Sequence, residues 1–246
     1  MARGKPWQRE ETLQAIELYC LTPFGRIHRR NPEIIALARS LDRTPDSIAL
    51  KMVNFAHLDP TLDQQGMHHV SRLDRELWAE FFENPDAFFA EREVAKTLLP
   101  QAHDGLPIGA GFREGGTYEY MTKGRKNQDY FRDMILATYE NKCCVTGIAV
   151  PELLVASHIV PWARNQKLRT DPRNGLCLNA LHDKAFDRGL ISLDTDYRLI
   201  IGSKLKRFKY PIFNAHEGKK VSLPKRFLPS QDCLDEHRKM HHQTLR

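Results

Sequence analysis

The feature that most constrains the fold of this chain is an ordered series of segments between Leu153 and Gly189. An apolar run ends in His158, and a polar loop follows it. A short apolar run then comes directly after Asn174, and the next segment, which has helical potential, carries His182. Two short apolar runs bounded by polar residues, followed by a helical pattern, predict two strands and a helix.

The series resembles the HNH nucleases of the ββα-metal class. A lone histidine on an apolar strand is more often a core residue than a catalyst. Three polar residues in register, together with their flanking residues, favour the nuclease. The flanking residues are Ile159, Pro161 and Trp162 after His158, Gly175 and Leu176 after Asn174, and Phe186, Asp187, Arg188 and Gly189 after His182.

The resemblance implies that His158 is the general base, that Asn174 orients the loop, and that His182 binds a metal ion. Phosphodiester hydrolysis needs these parts. An imidazole, with an ordinary pKa of about 6.5, suits removal of a proton from water near neutral pH. A divalent cation neutralises charge on the phosphate and on the leaving 3′ oxygen. We expect Mg²⁺, with Mn²⁺ or another divalent ion as the alternative, and products that carry a 5′-phosphate.

The residue before His158 departs from the family pattern. Many HNH enzymes have Asp or His there as a second metal ligand, whereas this chain has Ser157, a poor ligand for a hard cation. Asp183 and Asp187 are candidates to complete the metal site, or water fills the coordination sphere. Alternatively, Asp183 is a solvated helix charge and Asp187 a cap or an ion-pair partner.

The charge of the chain indicates its class of partner. A formal net charge of +6 at pH 7 favours an acidic partner, with nucleic acid first. We expect double-stranded DNA as the substrate. Three cations near the series are candidates to hold flanking phosphates, although each is otherwise an ordinary surface charge: Arg173, Lys184 and Arg188.

Two absences in the sequence bear on compartment. Residues 1–14 contain no apolar signal segment, and nowhere do 18 consecutive apolar residues occur. We therefore expect a cytoplasmic protein without a membrane partner. The five cysteines form no C-x-x-C pair, which favours buried thiols over a disulfide framework or a closed zinc site.

The first 60 residues predict three short helices. A helix begins near Gln8, and two others begin where an N-cap residue is followed by proline and an acid, at Asn31 and at Thr44. Two short helices joined by a tight turn, with a third before them, predict a helix-turn-helix arrangement that loosely resembles Myb-like or homeodomain-like units.

The third of these helices is the candidate DNA-recognition element. Lys51 and Asn54 lie on a different face from its apolar residues, where such side chains can reach base edges or phosphates. The alternative is a packing or dimerisation module whose polar face is only solvated. In that alternative the chain would form a homodimer or dock another partner.

Residues 71–98 predict two further helices, rich in aromatic residues that we expect in the core. Glycine and proline between residues 99 and 124 predict a linker. A helix is expected from Arg125, a hairpin between residues 190 and 201, and a frayed helix from Asp235. Basic residues crowd the stretch after the hairpin, as a phosphate contact or as a solvated tail: Lys204, Lys206, Arg207, Lys209, Lys219, Lys220, Lys225 and Arg226.

The sequence thus predicts an α+β protein with a helical DNA-recognition domain at 1–98, a linker at 99–124 and an HNH nuclease domain at 125–246. The predicted function is a metal-dependent DNA endonuclease, which by analogy belongs to restriction or phage defence. One alternative is a non-specific nuclease with an N-terminal assembly module. Another is a DNA-binding regulator whose nuclease site has decayed at Ser157.

Overall fold

The computed structural model describes residues 5–59, 62, 70–98 and 119–246. The chain divides into two compact units, Met1–Asp129 and Tyr130–Arg246. Helices make up the described part of the first unit, and the second adds two small antiparallel sheets, in agreement with the α+β class. The predicted linker lies mostly outside the described residues, and the part that is described, residues 119–124, is helical.

The first unit is built on helices that begin at well-formed caps. Asn31 Oδ1 accepts a hydrogen bond from Glu33 N at 2.9 Å, and Thr44 Oγ1 accepts one from Ser47 N at 3.2 Å. These caps confirm the two predicted cap-proline starts. The helices described in this unit are α1 (Arg9–Leu21), α2 (Pro32–Ser40), α3 (Pro45–Leu58), α4 (Arg72–Glu83) and α5 (Pro85–Leu98).

Apolar residues at helical spacing form the core of the first unit. Ile48, Met52 and Phe55 on α3 are fully buried, as predicted. The ring of Phe55 stacks on Trp78 of α4 with a centroid distance of 6.0 Å. Trp78 and Phe81 of α4 and Phe88 and Phe89 of α5 are likewise buried, which confirms that these aromatic residues belong to the core.

The second unit contains the predicted ββα arrangement. Strands β1 (Leu154–His158) and β2 (Gly175–Asn179) pair antiparallel, and helix α7 (Ala180–Asp187) follows β2 directly. The predicted hairpin is also present, as β3 (Ile191–Leu193) paired with β4 (Leu199–Ile201). Besides α7, the second unit contains α8 (Ser203–Phe208), α9 (Pro211–Asn214), α10 (Gln231–Met240) and α11 (His242–Leu245). Helix α6 (Glu119–Thr138) begins in the first unit and continues into the second from Tyr130.

Two helix boundaries differ from the prediction. Helix α6 begins at Glu119 rather than Arg125 because a single glycine, Gly124, costs a helix only about 1 kcal/mol. The C-terminal residues are not frayed. His237 of α10 is buried and lies 3.0 Å from Ser192 Oγ through Nδ1 and 3.1 Å from Phe186 O through Nε2. Packing against β3 and α7 therefore orders this helix.

Two further expectations concern protein class. Across the described parts of the chain, no helix combines the length and the apolar content needed to cross a membrane. All five cysteines are free and buried. Burial raises the pKa of the Cys177 thiol to about 12, so this thiol stays protonated at neutral pH.

Candidate active site

His158 is the last residue of β1, and two aromatic side chains contact its ring. Its ring stacks on Phe131 of α6 with a centroid distance of 3.8 Å and meets the edge of Trp162 at 5.5 Å. Gly175, its partner on β2, makes this packing feasible. A Cβ at Gly175 would lie 2.9 Å from the Phe131 ring and 2.3 Å from Ile135, so only glycine leaves room for α6.

A single hydrogen bond sets the tautomer of His158. Its Nε2 lies 2.8 Å from the carbonyl oxygen of Arg169. A carbonyl oxygen only accepts hydrogen bonds, so Nε2 carries the proton and Nδ1 keeps its lone pair. Burial lowers the pKa of His158, and the Arg169 carbonyl offsets this only in part. The imidazole is therefore neutral at physiological pH, with Nδ1 available as a base.

Asn174 holds the loop that supplies this carbonyl. Its side-chain oxygen accepts from Val160 N at 2.8 Å, and its Nδ2 donates to Val160 O at 3.1 Å and to Leu168 O at 3.0 Å. One buried amide thus ties both ends of the loop together. Because Arg169 directly follows Leu168, this tie fixes the carbonyl that orients His158. These are the hydrogen bonds that the predicted loop-orienting role of Asn174 would require.

The side chain of Arg169 closes the same loop from within. Its Nε donates to the carbonyl of Trp162 at 3.0 Å, and its guanidinium lies 5.2 Å from the centre of the Trp162 ring. Trp162 in turn touches His158. A guanidinium on an aromatic face adds to packing, so the loop is held by its own side chains.

Helix α7 brings one carboxylate, that of Asp183, to β1. Asn179 caps this helix by accepting from the backbone N–H groups of Leu181 and His182. Asp183, half-buried, then lies beside Ser157. Burial raises the pKa of Asp183, the Ser157 hydroxyl lowers it, and Asp187 one turn further raises it. The Ser157 Oγ is buried and makes no hydrogen bond of regular geometry.

His182 has different neighbours. Its Nδ1 lies 3.1 Å from Asn179 Oδ1, and its ring lies 5.0 Å from that of Phe213 and 6.3 Å from that of His216. Burial, and next the charge of His216, lower the pKa of His182 to about 4, while the Ile212 backbone raises it slightly. Its Nε2 is buried without a regular hydrogen bond. The contacts described for His182 are thus with residues 212–216 and Asn179, whereas Asp183 contacts Ser157.

The three cations expected to hold phosphates near the site fall into two groups. Lys184 on α7 and Arg188 directly after that helix are exposed, as such a contact requires. Arg173 instead forms a bidentate ion pair with the buried Asp171, with Nη2 to Oδ2 at 2.7 Å and Nε to Oδ1 at 3.0 Å. Asp171 already neutralises Arg173, so this arginine is the weaker candidate.

Lys51, in the first unit, does not fit the predicted DNA contact. Its side chain is only 4% exposed, and its Nζ lies 2.6 Å from Asp74 Oδ1 and 4.5 Å from the centre of the Trp7 ring. Its partner Asp74 lies 23 positions away on α4, so the spacing of residues within α3 does not predict this buried ion pair. Asn54 is half-buried. The exposed side chains of α3 include Leu50 and Val53, which are apolar.

The structure adds three contributors to the site that the motif did not indicate. Phe131 supports the His158 ring, and the carbonyl of Arg169 sets its tautomer. Ser157, which seemed only a departure from a pattern, contacts Asp183. Phe131 was detectable as the i−4 partner of Ile135 on α6, but a backbone carbonyl has no residue-type signal in a sequence.

Comparison with known families agrees with this geometry. Residues 143–194 match a family model described as HNH endonuclease. This segment is an HNH endonuclease domain. It spans β1, the loop, β2, α7 and β3, and so contains His158, Asn174, His182 and Asp183. No curated protein matches the chain. An HNH domain indicates nuclease activity on nucleic acid. HNH nucleases generally depend on divalent metal ions.

The side chains around Ser157 and Asp183 would suit an open metal site rather than a closed one. Among the residues that the structure describes, no three His, Cys, Asp or Glu side chains gather at one point. The Ser157 hydroxyl, buried without a regular hydrogen bond, and the Asp183 carboxylate nevertheless present oxygen atoms side by side. Mg²⁺ is usually held by one or two carboxylates plus water and substrate phosphate, so these residues fit such an ion.

Proposed function

We propose that this chain is a metal-dependent DNA endonuclease in which His158 is the general base and Asp183 the principal metal ligand. The observation that carries the proposal is the hydrogen bond from His158 Nε2 to the Arg169 carbonyl. It leaves Nδ1 as the basic atom of a neutral imidazole one residue away from Ser157. Ser157 and Asp187 would assist Asp183 in holding the ion. His182, first expected to be the ligand, becomes a buried support of α7.

The chemistry follows from this placement. A water molecule loses a proton to His158 Nδ1, and its oxygen attacks the phosphorus of the scissile bond. The bond from phosphorus to the 3′ oxygen breaks, which leaves a 5′-phosphate and a 3′ alkoxide that takes a proton from solvent. Phe131 and the Arg169 carbonyl keep the imidazole in one orientation, so no rearrangement is needed during attack.

Charge at the phosphate needs compensation. When bound, a divalent ion supplies Lewis-acid stabilisation of the phosphate and of the departing oxygen. Lys184, exposed on α7, and Arg188, exposed directly after it, would hold neighbouring phosphates. Such contacts position the backbone and carry no sequence information, so the HNH domain alone would cut without marked site preference.

For the first unit we propose an assembly role ahead of base recognition. The burial of Lys51 and the exposed apolar side chains Leu50 and Val53 on α3 favour the alternative in which this unit docks a partner. Arg26, Arg29 and Arg30 are exposed near the start of α2 and would serve phosphate contacts instead. A restriction or defence role rests on analogy alone and stays a proposal.

Plasmid cleavage tests the proposed activity. We expect the full chain to nick or linearise plasmid with Mg²⁺ or Mn²⁺ and to stop in EDTA. Ligation without prior kinase treatment would show that the products carry 5′-phosphates. Undiminished cleavage in EDTA, or products that cannot be ligated until they are phosphorylated, would contradict the mechanism.

A pair of substitutions on α7 separates the two candidate ligands. Asp183→Asn should weaken Mn²⁺ binding in calorimetry and slow cleavage, because the amide loses the negative charge that attracts the ion. His182→Asn should lower stability with a smaller change in Mn²⁺ affinity. The reverse ranking would return the ligand role to His182.

A further inference from the structure

The segment that follows the hairpin, residues 203–220, exposes aromatic rings and cations together. Phe208 is 62% exposed and Tyr210 is 51% exposed, and their rings stack at a centroid distance of 5.8 Å. We propose that this aromatic pair binds unpaired bases, so that the preferred substrate is DNA with a single-stranded or locally opened stretch. The inference rests on the proposed DNA endonuclease activity and specifies the substrate of the same unit.

The backbone between the two rings explains how they meet. Lys209 ends α8 in the left-handed region, with φ of 50°. This turn brings Phe208 and Tyr210 side by side, although they are two positions apart in the chain. A left-handed conformation costs about 1–2 kcal/mol for a residue other than glycine. The fold thus accepts strain at a place where two large rings face solvent instead of the core.

The charge around the rings is almost entirely positive. Glu217 is the only acid of the segment, and it pairs with Lys206 at 2.5 Å. The remaining cations are exposed and form no ion pair with any described residue: Lys204, Arg207, Lys209, Lys219 and Lys220. Cations beside exposed aromatic faces are the chemistry by which proteins bind single-stranded nucleic acid.

The segment is anchored to the helix of the active site. Phe213 of α9 is buried, and its ring lies 5.0 Å from that of His182 on α7. Asp183, the proposed metal ligand, is the next residue along that helix. The aromatic pair therefore belongs to the same compact unit as Asp183 and is linked to its helix through Phe213.

Unpaired DNA fits the rings better than an intact duplex does. Inside a duplex, neighbouring base pairs cover the face of each base, so a side chain can stack only on a base that has left the helix. Phosphate contacts by the lysines would apply equally to duplex and single strand. The two rings therefore supply the discrimination, and the cations supply affinity that falls with salt.

Binding of one DNA sequence in three forms tests this inference. Fluorescence anisotropy of the full chain in EDTA compares a single strand, a full duplex and a duplex with a central unpaired bubble. The double substitution Phe208→Ala with Tyr210→Ala should weaken binding to the single strand and the bubble by roughly 5- to 150-fold for each stacked base lost. Duplex affinity should change by less than about twofold, because the phosphate contacts remain.

Matched variants separate stacking from general loss of apolar surface. Phe208→Tyr with Tyr210→Phe keeps both rings and should bind like the wild type. Val150→Ala removes an exposed apolar side chain elsewhere in the same unit and should leave all three affinities unchanged. Equal weakening on the duplex and the bubble would overturn the inference. So would unaltered DNA binding combined with lost binding to anionic vesicles, which would identify a membrane contact.

Photocrosslinking of the wild-type chain gives a result that does not depend on any variant folding. Iodouracil in the bubble should crosslink to Phe208 or Tyr210, as mapped by peptide mass spectrometry. Crosslinks found only elsewhere would overturn the inference. Both tests run without metal, so a chain that stacks bases but never cleaves would refute the proposed activity alone. A chain that cleaves plasmid yet shows no ring-dependent binding would refute the base-stacking surface alone.

Discussion

The buried ion pairs of the first unit contrast with polar atoms beside the candidate site of the second unit. In the first unit, buried charges pair with one another: Lys51 with Asp74, Arg43 with Glu11, and Arg92 with Glu17. In the HNH domain, atoms near the site have no regular hydrogen bond among the described residues. These are Oγ of Ser157, beside the proposed metal ligand Asp183, and Nε2 of His182.

This contrast distinguishes polar residues that stabilise the fold from polar residues that bind a ligand or take part in a reaction. A buried charge costs several kcal/mol of desolvation, which a well-placed opposite charge offsets, so the pairs of the first unit are consistent with a purely structural role. An atom left without a partner carries an uncompensated cost. Such a cost is typical of sites that await a ligand, a proton or an ion.

The largest expected effect concerns His158. His158→Ala should slow plasmid cleavage by about 10²- to 10⁴-fold, because the water loses its general base. Imidazole added to the solution should restore part of the rate, which a purely structural histidine would not allow. His242→Ala, an exposed histidine in the same unit, is the matched control. If the His158 variant cleaved plasmid near the wild-type rate, His158 would not be the general base, and the contrast between structural and reactive polar residues would fail.

Lys51→Ala tests the other side of the comparison. Removing one partner of a buried pair leaves Asp74 uncompensated and should lower the free energy of unfolding by about 3–5 kcal/mol. Urea unfolding measures this change. The cleavage rate of the folded fraction should stay at the wild-type value. Reduced DNA affinity without loss of stability would instead restore Lys51 as a DNA contact.

His237 is a buried histidine in the HNH unit that has both nitrogens bonded, and its effect should appear as a pH dependence of stability. Burial lowers the pKa of His237 to about 4, below the ordinary value of 6.5. The unfolded chain therefore binds the proton more readily. Neutral His237 therefore makes its full contribution to the free energy of unfolding above pH 6.5. As the pH falls towards 4, this contribution is lost, by roughly 3 kcal/mol in total.

Urea unfolding of the wild type and of His237→Gln across this pH range checks the effect. The variant should be less stable at pH 7 and should lose less stability on acidification. Equal slopes would show that other groups, such as His182, cause the acid sensitivity.

The smallest effect is expected for an exposed ion pair. Arg72 and Glu76 lie one helical turn apart at 2.6 Å, and solvent screens them. Arg72→Ala should leave both the urea midpoint and the cleavage rate unchanged within error. If Arg72→Ala lowered the free energy of unfolding as much as Lys51→Ala, burial would not explain why the ion pairs of the first unit stabilise the fold.

Local signals in the sequence predicted much of the secondary structure. The caps at Asn31 and Thr44, the buried face of α3 and the hairpin after Gly189 all depend on residues a few positions apart. The prediction for Lys51 failed because Asp74, which binds it, lies on another helix. Helical spacing shows which residues share a face, but not which distant charge faces it.

The sequence by itself determined the HNH motif, the ββα order and the identity of His158 as the residue to examine. Only the tertiary structure decided how that histidine is held. The Arg169 carbonyl fixes its tautomer, Asn174 fixes that carbonyl, and Gly175 makes room for Phe131. These contacts join residues that are up to about 40 positions apart, and one of them is a backbone atom. No local pattern encodes them, because they exist only once α6, β1, β2 and the loop have packed together.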